Sequence, residues 1–361
     1  MTGPHIAVLG AGGFLGSHIV PGLLQRFDCS IDAIDIDLSK LAPTDARVRR
    51  WQARVEAPEV VEHVTSRANV VISLTALCNP AQYSTIPLEV IDANFTHLMP
   101  LVKRCAERRV RLIHFSTAEV YGLHATDAAG APAASMNEDD ACSLLGPVHH
   151  ERWTYACAKQ LLERVIFAHG RHNRLPFTII RPFNTIGARM DFLPGIDGEG
   201  TPRVLACFMS ALLRGEPLSL VNGGNQRRAF MDASDMVEAV CRVVERPQQA
   251  NGQIFNLGNP ENDVSIAELA SLLASELRVL RPGAAAARFE HVSAEAFYGP
   301  GYADTQERVP DIGKARRLLG WSPQQALADM LPDIVRDYVE RYGERIAAAS
   351  ARELASWRRS A

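Results

Sequence analysis

His5-Ile6-Ala7-Val8-Leu9-Gly10-Ala11-Gly12-Gly13-Phe14-Leu15-Gly16 runs from a short β-rich apolar strand straight into a cluster of glycines. A helix over roughly 13–26 is expected to follow, and strand, glycine-rich turn and helix together are the context of a dinucleotide fingerprint. Glycines let the backbone approach a pyrophosphate, and the helix N-terminus offers unpaired N–H groups with a positive dipole. The spacing Gly10-x-x-Gly13-x-x-Gly16 differs from the GxGxxG of simpler dehydrogenases. Gly10, Gly13, Phe14, Leu15 and Gly16 are therefore the first candidate cofactor contacts. A plain turn is the competing explanation, and the flanking strand and helix weigh against it.

Moving outward, the strand 31–36 ends near Asp35, nineteen residues after Gly16. A carboxylate at that tip accepts from adenosine ribose hydroxyls and repels a 2′-phosphate, which favours NAD over NADP. Residues 69–76 read as a buried parallel strand whose end, with Leu74 and Ala76, borders the cofactor. Residues 86–109 read as one helix, containing Asn94 and kinked at Pro100. The strand 110–116 then runs into Thr117 and Glu119, beyond the carboxyl end where open α/β sheets bind ligands.

Trp153-Thr154-Tyr155-Ala156-Cys157-Ala158-Lys159 places a tyrosine and a lysine one helical turn apart on one face. An ammonium beside a phenol favours the phenolate, so a group with a pKa of about 10 can act as a base near neutrality. Alone, such a pair is usually an exposed helix neighbour. Behind a dinucleotide turn and a Thr-bearing strand end, it points to proton transfer.

The expected architecture is α/β: a Rossmann-type doubly wound parallel sheet with a smaller C-terminal α/β substrate lobe. Residues 1–181 would form the NAD-binding domain, with 232–258 returning to it. Residues 182–231 and 259–361 would form the lobe, and helices are expected after residue 182 near 203–214, 233–246, 265–279 and 323–347. Residues 123–150, rich in Ala, Gly and Pro, read as a surface excursion.

Composition narrows the function classes. A net charge of -3 on 361 residues gives no electrostatic reason for nucleic acid or an anionic membrane as partner. No apolar run approaches the length of a membrane span, and the N-terminus has no basic leader or cleavage site. The seven cysteines show no CxxC pair or metal spacing, so reduced thiols in the cytoplasm, and no metal, are expected.

The glycine pattern, Ser116-Thr117, Tyr155-x-x-x-Lys159 and Arg181-Pro182 together resemble the extended short-chain dehydrogenase/reductases that act on nucleotide sugars. Longer stretches narrow this: Gly146-Pro147 through Leu161, Arg181-Pro182-Phe183-Asn184-x-Ile186-Gly187-x-Arg189-Met190-Asp191-Phe192, Pro202 to Phe208, and Phe297 to Tyr302. They are similar to the UDP-apiose/UDP-xylose synthases and, somewhat less, to the UDP-glucuronate decarboxylase domain of the lipid A aminoarabinose pathway. Such enzymes oxidise C4 of UDP-glucuronate with bound NAD, lose carbon dioxide from the β-keto acid and take the hydride back. The resemblance implies that Tyr155 takes the 4-hydroxyl proton, Lys159 supports it and holds the nicotinamide ribose, and Thr117 bonds the same hydroxyl. It assigns Glu119 as acid/base and Arg308 to the substrate carboxylate or enolate. Arg203 and Arg228 match positions near the UDP diphosphate, Asn184 and Arg189 match substrate-lobe positions, and Tyr298 a contact of the UDP part. It also implies a homodimer through helices like those at 86–109 and 151–170.

The chain departs from that pattern at telling places. Ala118 stands where the decarboxylases carry Ser and the apiose synthases Cys, and 4-epimerases can carry Ala there. Thr185 and Ala188 replace a Trp and a Pro. Arg54-Val55 stands where the strand contacting adenine usually ends in Asp or Asn. Cys78, by contrast, matches a cysteine of the apiose synthases; the alternative is a small apolar filler at a strand end. The reading is an NAD-dependent UDP-glucuronate decarboxylase of the apiose/xylose synthase type. Its rivals are a UDP-sugar 4-epimerase, or another enzyme forming a 4-ketosugar without decarboxylation, and a non-catalytic NAD-binding sensor.

Overall fold

The structure is a computed structural model that describes residues 3–42, 45–123, 136–141, 143, 145–298, 305 and 307–360, with side chains to 348. Residues 124–135, in the stretch expected to be a surface excursion, lie outside the described residues, as do 299–304 in the family-like stretch after Phe297.

The first half alternates strand and helix: β1 (His5–Leu9), α1 (Phe14–Arg26), β2 (Ser30–Asp35), β3 (Val48–Gln52), α2 (Pro58–Arg67) and β4 (Val70–Ser73). It continues with α3 (Pro87–Asn94), α4 (Met99–Arg108), β5 (Arg111–Phe115), α5 (Thr154–Asn173) and β6 (Phe177–Pro182). After β7 (Thr185–Ile186), α6 (Val204–Arg214), β8 (Leu218–Val221), β9 (Arg227–Ala229), β10 (Met231–Asp232), α7 (Ala233–Glu245) and α8 (Pro247–Ala250), the chain returns as β11 (Gln253–Leu257). These strands form a seven-stranded sheet in the order β11-β6-β5-β4-β1-β2-β3, and every pairing in it is parallel. Strand order reverses at β1, so the crevice between the ends of β1 and β4 is the topological switch point where such sheets bind ligands.

Continuous burial explains the near-continuous apolar strands. Ile6 to Leu9 and Val70 to Ile72 are sandwiched between helix layers, with Ile6, Val8 and Ile72 in one core and Ala7, Leu9 and Val71 in the other. On the first face, α1 packs against α7. Ile312, Ala315, Leu319 and Trp321, around α11 (Gly313–Leu319), join that core, although their stretch was expected in the lobe. A third core builds the lobe from α6, α9 (Ile266–Leu280) and the long α12 (Leu327–Ser360). Two-stranded pairings β9–β12 (β12, Asp263–Ser265) and β8–β13 (β13, Phe289–Val292) edge this lobe, with α10 (Ala294–Tyr298) beyond them.

The helix expected over 86–109 is two helices. The chain breaks at Phe95 (φ −138°, ψ −67°), makes a single 3-10 turn over Thr96–Leu98 and restarts as α4. Pro100 thus lies in a first turn, where its missing N–H costs nothing; in a continuous helix it would have orphaned the Thr96 carbonyl. At the end of α3 the buried Asn94 Nδ2 donates to Leu77 O (2.9 Å) and Val90 O (2.8 Å), fixing the loop after β4.

Candidate active site

The ends of β1, β4 and β5, the start of α5 and the lobe enclose a cavity of about 860 Å³. Its floor is the glycine turn: Gly10, Gly13, Phe14, Leu15 and Gly16 all line it, with Leu74 and Ala76 alongside. Close packing, not freedom alone, demands these glycines. A Cβ on Gly16 would stand 2.4 Å from Gly10 O, and one on Gly12 would stand 1.7 Å from Asp37 O. Gly10 also holds φ +84° beside Leu74 and Thr75.

The residues fit NAD. The α1 N-terminus has no side-chain cap and no acid in its first turn, leaving its N–H groups for a pyrophosphate. Asp35 stands at the tip of β2, Oδ2 accepting from Gly12 N–H at 2.9 Å and Oδ1 from Ile36 N–H at 2.7 Å. Burial pushes its carboxyl up from the ordinary range, against three backbone donors. Asp35 does not line the cavity as the glycines do; it braces the turn from beneath. The Ser73, Thr75 and Ser116 hydroxyls, at the ends of β4 and β5, are buried with no hydrogen-bond partner among the described residues, polar capacity that a bound dinucleotide can use.

Over this floor sits the tyrosine. Tyr155 and Lys159 lie on the buried face of α5, and Tyr155 lines the cavity together with Thr117, whose side chain opposes the rise in the Tyr155 pKa. Thr117 is held by Glu119 N–H, which donates to its Oγ1 at 3.1 Å as the 3-10 turn Ala118–Tyr121 begins. The Tyr155 ring stacks on that of Tyr83 (centroids 5.0 Å, interplanar 15°). Burial drives the Tyr155 phenol well above its usual pKa, with Cys78 and Glu119 adding to it. Lys159 Nζ donates to Phe115 O at 3.0 Å, anchoring the lysine to the end of β5.

Burial pulls Lys159 down to about 8. Between about pH 8 and 10.5 the unfolded chain therefore holds a proton that the native state has lost, so this lysine makes stability rise with pH there. The integrated effect is about 3 kcal/mol, because each pKa unit is worth about 1.4 kcal/mol. Urea unfolding at pH 7.5 and pH 10 is expected to show Lys159→Met gaining on the wild type at the lower pH, with the gain shrinking at the higher. An equal difference at both pH values would refute the shift.

Farther along the cavity, two guanidiniums converge on Glu119. Arg152 Nη1 lies 2.6 Å from Oε2, and Arg308 Nη1 lies 3.9 Å from Oε1. Arg308 Nε donates to Thr305 Oγ1 (3.0 Å), and Arg228 Nη1 donates to Thr305 O (3.0 Å), so one threonine links the two arginines. Asn184, Arg203, Tyr298 and Cys78 also line the cavity. Arg203 is aimed by Asp191, whose carboxylate accepts from its backbone N–H (3.0 Å), Nε (3.0 Å) and Nη2 (2.9 Å).

Arg189 is a correction. It does not line the cavity but turns to α1, donating from Nε to Ser17 Oγ (3.2 Å) and from Nη2 to Ser17 O (3.3 Å). Pro21 explains the attraction: lacking an N–H, it leaves the Ser17 carbonyl without its helical partner four residues on, and Arg189 supplies the donor. Arg181 of the Arg181-Pro182 exit is structural too, gripping buried Glu163 on α5 at 3.0 and 2.6 Å. Sequence reasoning missed Arg152 and Tyr83. Arg152 lay inside a family-like stretch, and its approach to Glu119 and to the Tyr83 ring (5.5 Å) arises only when α5 docks.

No helix of the described residues is long and apolar enough to cross a membrane, and none of their His, Cys, Asp and Glu clusters suits a metal ion. Residues 6–258 match the NAD dependent epimerase/dehydratase family. UDP-D-apiose/UDP-D-xylose synthase 1 of Arabidopsis thaliana is 41% identical over 97% of this chain and 95% of its own. The UDP-D-apiose/UDP-D-xylose synthase of Oryza sativa subsp. japonica is also 41% identical, over 96% and 93%. The crystal structure of PbgP3 from Burkholderia pseudomallei superposes with a TM-score of 0.80 at 33% identity, covering 96% of this chain and 98% of that one. With its glycine turn, its Thr117-Tyr155-Lys159 set and this likeness along nearly its whole length, the chain belongs to the NAD-dependent epimerase/dehydratase family.

Proposed function

We propose that the protein is an NAD-dependent UDP-glucuronate decarboxylase of the UDP-apiose/UDP-xylose synthase type. The observation that carries this reading is the pair Arg152 and Arg308 around Glu119, in the cavity that Thr117 and Tyr155 also line. A sugar carboxylate entering there meets guanidinium forks suited to it. Bound NAD supplies a reversible acceptor for the C4 hydride. Tyr155 takes the O4 proton, Thr117 orients that oxygen, and Lys159 at the end of β5 favours the phenolate once the site is charged. The resulting ketone is β to the C6 carboxylate, so the C5–C6 bond breaks and its electron pair becomes an enolate. Arg308 faces that developing charge, and Glu119, positioned by Arg152, relays a proton from water to carbon. Arg203 and Arg228 serve the diphosphate, with Asn184 and Tyr298 flanking the nucleotide sugar and Cys78 beside the reacting ring.

The second reading, a UDP-sugar 4-epimerase, is favoured by one observation: the buried Ala118 in the cavity wall has no proton to give. Proton NMR of the protein with NAD and UDP-glucuronate separates the two. A new UDP-pentose anomeric signal with evolved carbon dioxide is the expected outcome, and its branching tells apiose from xylose. A C4-inverted uronate without carbon dioxide selects the epimerase. An unchanged spectrum with NAD still bound overturns the glucuronate assignment.

The proposed division assigns 1–181 and 232–258 to the NAD-binding domain, which 312–321 join through their packing under the sheet, and 182–231 with the rest of 259–361 to the substrate lobe. A homodimer through the helices of 86–109 (α3 and α4) and of 151–170 (α5) is part of the same reading. Leu88 and Ile91 on α3, and Leu161 and Phe167 on α5, are exposed, an unusual concentration of apolar side chains on two helices that pack together. A single-subunit mass in light scattering would refute it. We place the enzyme in the cytosol, where its cysteines remain thiols.

A further inference from the structure

The segment 188–191 is the joint between the two halves of the cleft. Arg189 (φ 63°) and Asp191 (φ 54°) both adopt the left-handed backbone that non-glycine residues avoid, so outside contacts must hold them there. From the cofactor half, His18 contacts Ala188 O (2.8 Å), and Arg189 reaches Ser17. From the lobe, Asp337 accepts from Arg189 N–H (2.9 Å), and Tyr338 donates to Met190 O (2.7 Å).

One further contact joins this segment to the cofactor loop. Lys40, five residues beyond Asp35, lines the cavity and donates from Nζ to Asp191 O at 3.2 Å. Its loop cannot drift. Asp37 and Leu38 lie hard against Gly12, and Arg50 Nη2 donates to Leu38 O at 2.6 Å. Asp35 accepts backbone N–H groups of that turn and loop with both oxygens, so a ribose that takes up their remaining acceptor capacity binds the same carboxylate that orders the loop. At the far end, the Asp191 carboxylate gathers three donors of Arg203. Burial alone would push that carboxyl up, yet Arg203 and Lys40 hold it below its ordinary range. The same loop therefore touches the dinucleotide turn at one end and the support of a substrate-facing guanidinium at the other.

We propose that Lys40 is a positioning residue that carries occupancy of the dinucleotide site across the cleft to Arg203, so that bound NAD tightens the grip on the diphosphate of a second nucleotide. This inference rests on the nucleotide-sugar reading, and UDP is the probe that tests both. Calorimetric titration with UDP is made on NAD-saturated and NAD-free protein, for wild type, Lys40→Met and Lys40→Arg. Coupling is reciprocal and runs from about fivefold upward in allosteric pairs, so NAD is expected to tighten UDP about tenfold in the wild type. Lys40→Met brings that ratio below about twofold, and Lys40→Arg, which keeps the cation and donor, retains most of it. A merely structural lysine would weaken UDP equally with and without NAD, leaving the ratio unchanged, and that result overturns the proposal. A wild-type ratio of one overturns it as well, while the nucleotide-sugar reading stands. Failure of UDP to bind at all removes both.

Discussion

Tyr155→Phe is expected to lower kcat by about 10³-fold, within the range that a positioned proton-transfer group contributes, while NAD binding is retained. The substitution is unusually clean here. The ring is buried, stacked 5.0 Å from Tyr83 with 15° between planes, and phenylalanine keeps that stacking. Only the hydroxyl disappears from the cavity wall. A fall in kcat with little change in thermal stability therefore reads out chemistry, not folding. Turnover above about a tenth of wild type would put proton transfer elsewhere, given the size of the usual effect. If a non-catalytic NAD sensor were the right description, the variant would keep whatever response the wild type shows.

What was legible in the sequence was what local pattern encodes. The run from His5 to Leu9 and the glycines after it lie within one strand–turn–helix unit, so their geometry follows from adjacent residues. The same holds for Tyr155 and Lys159, one turn apart on a single helix. Harder to read was anything set by two distant elements. Arg189 looked like a substrate-lobe residue, but a proline on α1 created a carbonyl vacancy that drew it away. Pro100, inside a long apolar pattern, predicts a kink; the chain instead breaks at Phe95 and uses the proline to start a helix. Arg152 escaped notice because its partner Glu119 is 33 positions earlier, on another element. The α11 segment went unrecognised as part of the sheet's core because its burial comes from β11, α7 and α8.

Removing Glu119 is expected to have two separable consequences. Its carboxylate is 12% exposed and meets an Arg152 side chain only 4% exposed, with Arg308 close by. Deleting one member of a buried pair usually costs about 3–5 kcal/mol, because the other charge loses its compensation. Glu119→Ala should therefore shift the urea midpoint strongly, and its lost activity alone would prove little. Glu119→Gln keeps the shape and an oxygen for Arg152 but can neither carry the charge nor deliver a carboxylic proton. It is expected to lose less stability than Glu119→Ala, because its amide oxygen still accepts from Arg152, and to lose about 10²–10³-fold in turnover. Pairing Glu119→Leu with Arg152→Met takes the argument one step further. Replacing a buried ion pair by apolar side chains of similar size is often neutral for folding, so the double variant should recover stability lost by Glu119→Ala while remaining inactive. A Glu119→Gln enzyme with full turnover would confine this carboxylate to holding Arg152, and proton return would then fall to Arg308 or to water.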